Sequence, residues 1–200
     1  MIHTVPSLAK LLKTLQQVPY LASKNVYRVT SHFLSMDAQR LEQFCQTLLE
    51  AHSQLIYCPT CYCWQEKNNE CIFCSATDRE KDIVCVVESW QEIMSIEKTK
   101  GYDGVYHVLG GVISPLEGIG PENLFIQPLL ARVHTQSVKE IILATNQTPE
   151  GEATAAYIAH KLKETPVHIS CLARGLPVGS SLETMDRVTI YKALSDRRPF

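Results

Sequence analysis

Two pairs of cysteines carry the clearest chemistry in the sequence, Cys58-Pro59-Thr60-Cys61 and Cys71-Ile72-Phe73-Cys74, separated by nine residues. Zinc takes four soft ligands in a tetrahedron, and a Cys-x2-Cys turn sets two thiolates along one edge of it. Two such turns on one short hairpin close the coordination sphere and leave no place for water. The expected site is therefore a structural Zn2+ centre held by Cys58, Cys61, Cys71 and Cys74. The metal would supply folding free energy on the order of 10 kcal/mol to a segment too short for a core of its own. The competing uses of paired cysteines are buried free thiols and a redox-active Cys-x-x-Cys. Cys63 follows Cys61 by two residues, which is not the knuckle spacing, and is expected to be a spectator. Cys45, Cys85 and Cys171 stand alone in apolar contexts, where a cysteine behaves as a small hydrophobe.

Carboxylates form the second group. Glu88 closes the apolar run Ile83-Val84-Cys85-Val86-Val87, while Glu150 and Glu152 follow another run, residues 140–144. Open α/β folds bind ligands at the carboxyl edge of their sheets, and three carboxylates gathered there could hold Mg2+ through oxygen. Glu150 and Glu152 could equally complement the positive end of a helix.

These groups need elements to position them. Leu8, Leu11, Leu12 and Leu15, then Val26, Val29 and Phe33, then Leu41, Phe44 and Leu48 recur at helical spacing. They predict amphipathic helices over residues 7–15 and 26–49, so that residues 1–54 form a helical segment. Pro19 disfavours continuation of the first helix and Ser23 is placed to cap the next, giving a helix-turn-helix pair. Downstream, apolar runs at 83–87, 105–109, 140–144 and 167–173 alternate with helix-length stretches at 89–99, 121–133 and 152–163. That alternation predicts right-handed βαβ crossovers and a mostly parallel sheet. Gly110-Gly111 and Gly118-Ile119-Gly120-Pro121 read as tight turns, Pro121 opening a helix, since neither is a Gly-x-Gly-x-x-Gly following a first strand. The expected fold is α+β in several parts: helical residues 1–54, a C4 zinc finger at 55–79, an α/β domain at 80–175 and a tail at 176–200 with a last helix near 189–194.

The chain has 200 residues, 45% of them hydrophobic, with 19 Lys+Arg against 21 Asp+Glu. This excludes fibrous and disordered classes and argues against a protein coated in positive charge. The balance is uneven, however: residues 1–28 carry Lys10, Lys13, Lys24 and Arg28 and no acidic residue. No apolar run approaches the ~18 residues of a membrane span, and the start lacks the basic-then-apolar order of a secretory signal. A cytoplasmic protein without membrane partners is expected, in a compartment where cysteines ligate metal rather than pair.

Helical pair, four-cysteine knuckle and α/β unit come in an order that resembles one family. The α/β unit opens on Ile83-Val84-Cys85-Val86-Val87-Glu88-Ser89 and continues through Gly110-Gly111-Val112-Ile113-Ser114-Pro115-Leu116-Glu117-Gly118-Ile119-Gly120-Pro121. Ile142-Leu143-Ala144-Thr145-Asn146, Glu150-Gly151-Glu152-Ala153-Thr154 and Ala173-Arg174-Gly175-Leu176-Pro177-Val178-Gly179 follow. Over nearly its whole length the chain resembles the bacterial recombination mediator RecR family. The resemblance implies a helix-hairpin-helix, a C4 zinc finger, a Toprim domain and a Walker-B-like C-terminal segment. It also implies a homo-oligomer, dimer or tetrameric ring, that encircles or clamps DNA. Such proteins act with RecO and RecF to load RecA at single-stranded gaps during DNA repair, without catalysis.

The family's hairpin reads Leu-Pro-Gly-x-Gly-x-Lys-(Ser/Thr)-Ala-x-Arg, and here the stretch is Val18-Pro19-Tyr20-Leu21-Ala22-Ser23-Lys24-Asn25-Val26-Tyr27-Arg28. The resemblance assigns DNA contact to Lys24 and Arg28, four apart on one helix face, with Lys10 and Lys13 nearby, although both glycines are replaced. Catalytic Toprim enzymes resemble this chain at Glu88 but carry an Asp-x-Asp pair where Asn146 and Thr148 stand, which fits a non-enzymatic scaffold. Two alternatives are a Mg2+-dependent Toprim nuclease-like enzyme using Glu88, Glu150 and Glu152, and a protein-interaction scaffold without hairpin DNA binding. In the mediator reading, Glu150 and Glu152 would face a basic surface of RecO.

Overall fold

The structure, a computed structural model, describes residues 5–21, 23–173 and 175–197; Ala22 of the hairpin and Arg174 of the last family motif lie outside them. The chain divides into two compact units, Met1–Leu55 and Ile56–Phe200. No helix of the described residues is long and apolar enough to cross a membrane.

The first unit is helical. Helix α1 (Pro6–Leu15) starts on a proline, whose missing N–H would have been unpaired there anyway. A turn through Pro19 leads to α2 (Ser23–Ser35), and Ser23 lies inside the first turn of this helix instead of ahead of it as its cap. Leu12 of α1 and Val26 and Thr30 of α2 are buried. The Thr30 hydroxyl donates to the Val26 carbonyl at 2.8 Å, so a polar residue can be buried at no hydrogen-bond cost. The single helical stretch expected over 26–49 is broken at Asp37, whose carboxylate accepts the Arg40 N–H at 2.9 Å and caps α3 (Ala38–Gln54). Helix α3 buries none of its residues, and Phe44, Leu48 and Leu49 stay exposed along it.

The second unit opens with a two-stranded ribbon, β1 (Leu55–Tyr57) and β2 (Trp64–Glu66), flanking the first cysteine turn. Four strands then form one sheet: β3 (Glu80–Val87), β4 (Gly104–Val108), β5 (Glu140–Leu143) and β6 (His168–Cys171), in the order β4-β3-β5-β6. Every pairing in it is parallel, with Cys85 opposite both Tyr106 and Ile142. The crossovers are α4 (Trp90–Glu97), α5 (Ile126–Thr135) and α6 (Pro149–Lys161), and α7 (Arg187–Ser195) ends the unit.

Strand side chains alternate between the two faces of a sheet, and β3 displays this directly. Val84 and Val86 pack with Val105, Ile141 and Leu143 against Ile126 and Leu129 of α5, Ile158 of α6 and Leu162 just after it. Cys85 and Val87 point into the opposite cluster, with Ile93 of α4, Tyr106, Phe73 and the knuckle cysteines. The cysteine module is thus a packing layer on one face of the sheet, and burying each large apolar side chain there contributes roughly 1.5–3 kcal/mol.

Turn chemistry sets the remaining boundaries. Gly118 ends the short 3-10 turn Pro115–Glu117 in the left-handed conformation, φ 70°, which only glycine adopts freely. Pro121 opens a 3-10 turn, Pro121–Asn123, and not the main helix, which begins at Ile126. Among the isolated cysteines Cys85 is buried as expected, but Cys45 and Cys171 are exposed. Cys45 rides on α3, which buries nothing, and Cys171 ends the edge strand β6, so apolar sequence neighbours did not place either thiol in a core.

Candidate zinc centre, acidic sheet edge and basic hairpin

The Sγ atoms of Cys58, Cys61, Cys71 and Cys74 all lie within 4.8 Å of one another. Cys58 and Cys74 are 3.9 Å apart and Cys61 and Cys71 3.5 Å. A tetrahedron with Zn–S arms of about 2.3 Å has edges of about 3.8 Å, so the donors present fit Zn2+ in number, softness and spacing. Backbone hydrogen bonds build the cradle. Cys58 N–H donates to Cys63 O at 2.8 Å, Tyr62 N–H to Cys58 O at 3.0 Å, and Thr60 N–H points at the Cys58 sulfur at 3.4 Å. Tyr62 takes φ 60° to let this turn close. Hydrogen bonds from Cys61, Cys71 and Cys74 hold the Cys58 thiol below its ordinary pKa, and the bond to Cys58 together with burial raises that of Cys61. Cys63 is buried but stands outside the group of four.

The module is bolted to the sheet by Val108 N–H, which donates to Cys61 O at 2.8 Å. Arg132 of α5 reaches the same region, its side chain almost fully buried, with Nη1 donating to Tyr106 O at 2.8 Å and Nε to Gln136 Oε1 at 3.0 Å. Burial lowers the Arg132 pKa, opposed by the charge of the Cys74, Cys61 and Cys58 sulfurs. Four thiolates around Zn2+ leave a net charge of about −2, and a buried guanidinium is its natural counter-charge. His107, at the end of β4, is fully buried, with Nε2 2.8 Å from Phe125 O. Desolvation pushes its pKa down to about 4.

At the carboxyl edge of the sheet Glu88 follows β3. Its Oε1 accepts Asn146 N–H at 2.6 Å and its Oε2 accepts Asn146 Nδ2–H at 2.7 Å. Both oxygens therefore hold the loop after β5. Gly151 packs beneath this contact: a Cβ there would lie 2.3 Å from Asn146 O and 2.9 Å from Glu88 Oε1. Thr148 caps α6 by accepting Gly151 N–H at 3.1 Å, and Glu150 and Glu152 sit in the first turn, where the helix dipole favours negative charge. Glu152 pairs with Lys192 of α7, which ties the tail to this edge. Thr154 donates to Glu150 O at 2.7 Å and accepts Ile113 N–H at 2.9 Å, anchoring the Gly110–Gly111 loop to α6. The three carboxylates share an edge but form no cluster. Among the described residues, the four cysteines are the one group spaced to hold a metal ion.

In the helical unit Lys10, Lys13, Lys24 and Arg28 are all solvent-exposed. The turn between α1 and α2 is closed by Leu21 N–H donating to Val18 O at 3.3 Å, with Pro19 second and Tyr20 third. Tyr20 has φ 62° and a fully exposed side chain. It thus adopts the left-handed conformation for which the family pattern supplies glycine.

Cysteine spacing was enough to find the four-cysteine cluster. Asn146, Gly151, Thr154 and Lys192 carried no comparable signal, because their partners lie far away in sequence. Nothing in the sequence set Arg132 apart from any other base on a helix-length stretch. Pro19 signalled a turn, but proline at the second position suits type I as well as type II, so the positive φ of Tyr20 had no local signal.

Residues 82–173 match the family model described as Toprim domain, and residues 175–198 that described as RecR, C-terminal. Two curated relatives from two Clostridium perfringens strains, each named Recombination protein RecR, are 42% identical to the chain over 191 residues. The match covers 96% of this chain and 96% of each relative.

Proposed function

The chain belongs to the family of the recombination protein RecR, and from that premise we propose that it is a non-catalytic recombination mediator in DNA repair. The observation that carries the reading is the reach of the likeness, which includes the basic hairpin, the cysteine module, the Toprim domain and the tail alike. On this reading the zinc centre is structural. It completes one face of the sheet and offers no open coordination position.

DNA contact falls to the hairpin. Lys24 and Arg28, with Lys10 and Lys13, present cations to phosphate in a stretch without an acidic side chain before Asp37. Binding through phosphates releases counterions and weakens steeply with salt. The Toprim edge serves as a rigid scaffold. Glu88 spends both oxygens on Asn146, and Glu152 pairs with Lys192, an arrangement suited to fixing a loop rather than to gathering Mg2+. Partners on this reading are DNA, RecO and RecF, and further copies of the chain, with RecA loaded at single-stranded gaps as the outcome.

The test is gapped duplex DNA incubated with the zinc-loaded protein in Mg2+ or Mn2+. Salt-sensitive binding without strand cleavage is expected, with Lys24→Ala/Arg28→Ala losing most of the affinity. Metal-dependent nicking abolished by Glu88→Gln would establish the nuclease reading instead. Absence of DNA binding with retained RecO association would leave an interaction scaffold.

A further inference from the structure

The turn at Val18-Pro19-Tyr20-Leu21 carries backbone strain that nothing among the described residues offsets. Pro19 at the second position and a positive φ at the third make it a turn of type II, whose third position is built for glycine. A tyrosine there holds a left-handed backbone that its Cβ disfavours. Such strain is usually offset by side-chain packing or hydrogen bonding, but the Tyr20 side chain is fully in water, and among the described residues it meets no ring and no hydrogen-bond partner. Strained residues kept without a structural return concentrate at sites of function.

The surroundings say what such a ring can do. It projects from the tip of the hairpin between the two helices bearing the exposed Lys10, Lys13, Lys24 and Arg28, and residues 1–36 include no carboxylate. A cationic surface with an aromatic platform is the combination that binds unpaired nucleic acid: cations track the phosphates and the ring takes the face of a base. We infer that Tyr20 is a stacking platform for an unpaired nucleobase, and that the hairpin is thereby biased toward single-stranded DNA over duplex. This inference rests on the DNA-binding reading above and adds a ligand class to it. The side chain that replaces glycine gives up close approach of the turn backbone to phosphate and gains a contact that only an unstacked base can complete.

The experiment compares zinc-loaded wild type, Tyr20→Gly, Tyr20→Phe and Lys24→Ala/Arg28→Ala by fluorescence anisotropy on oligothymidine, on an abasic strand of equal length and charge, and on blunt duplex. Tyr20→Gly relieves the backbone, so its melting temperature should equal or exceed that of wild type, which separates loss of contact from loss of fold. Expected is about a tenfold weaker grip of Tyr20→Gly on oligothymidine. Its affinity for the abasic strand and its salt slope should be unchanged, and Tyr20→Phe should behave as wild type. Equal binding of oligothymidine by wild type and Tyr20→Gly, with Lys24→Ala/Arg28→Ala still defective, would remove the stacking role and leave the DNA-binding reading intact. Failure of wild type to bind any of the three at low salt would overturn both.

Discussion

Gly151 shows how a residue without a side chain can organise an edge. The first turn of α6 passes so near the Glu88–Asn146 contact that a Cβ would sit 2.3 Å from a backbone oxygen, which cannot swing aside. Gly151→Ala is expected to cost about 1–3 kcal/mol, the range for overpacking, measurable as a lowered midpoint in urea unfolding. Glu88→Gln, which leaves the packing alone, should cost less. His107 gives a second prediction. An unfolded chain protonates this histidine near 6.5, whereas the folded chain resists until about 4. Its folded-state value is depressed, so its contribution is present above 6.5 and is lost as pH falls. Between pH 7.5 and 5 wild type should lose roughly 2 kcal/mol through this group, and His107→Gln, titrated alongside, should show a shallower acid limb by that amount. At this scale legibility depended on distance along the chain. Four cysteines declare a tetrahedron through local spacing, whereas Asn146 meets Glu88 across 58 residues and no local pattern announces it.

Among the elements, the cysteine module and the sheet stabilise each other. The knuckle cysteines and Phe73 share a cluster with Cys85, Val87, Tyr106 and Val108, and Cys61 accepts a hydrogen bond from Val108. Removing zinc should therefore loosen β4 as well as the ribbon. Chelation, or Cys61→Ser, is expected to abolish stoichiometric zinc and to raise hydrogen exchange at Val108, while Cys63→Ser keeps both as in wild type. The strands were readable because short apolar runs bounded by turn residues have few other uses. Helix boundaries were less so. Residues 26–49 read as one periodic stretch until Asp37 capped α3, and the proline at 121 opened a 3-10 turn five residues ahead of α5.

Among its described residues the molecule keeps apolar surface exposed. Phe44, Leu48 and Leu49 line α3, while Val188, Tyr191 and Leu194 are exposed on α7, with Val178 and Leu182 just before it. An amphipathic helix owes most of its stability to a packed apolar face, and these open faces are where the further copies of the chain proposed above would pack. Mass measurement in solution should find an assembly larger than one chain, and Val188→Lys/Tyr191→Glu should shift it toward smaller species without unfolding the sheet. The near-neutral total charge also resolves at this scale. The helical unit holds five Lys and Arg against three Asp and Glu, the first of them Asp37, and the other unit holds fourteen against eighteen. Composition alone averaged these away, whereas the order of residues already showed the basic stretch at 1–28. The central claim, a mediator that handles DNA without cutting it, is tested most directly by the rate at which RecA filaments form on gapped DNA coated with single-strand-binding protein in the presence of RecO. Addition of the zinc-loaded chain should accelerate filament formation severalfold and leave the DNA intact, and Lys24→Ala/Arg28→Ala should abolish the acceleration. An unchanged rate with wild type, or cleavage of the gapped strand, would contradict the account.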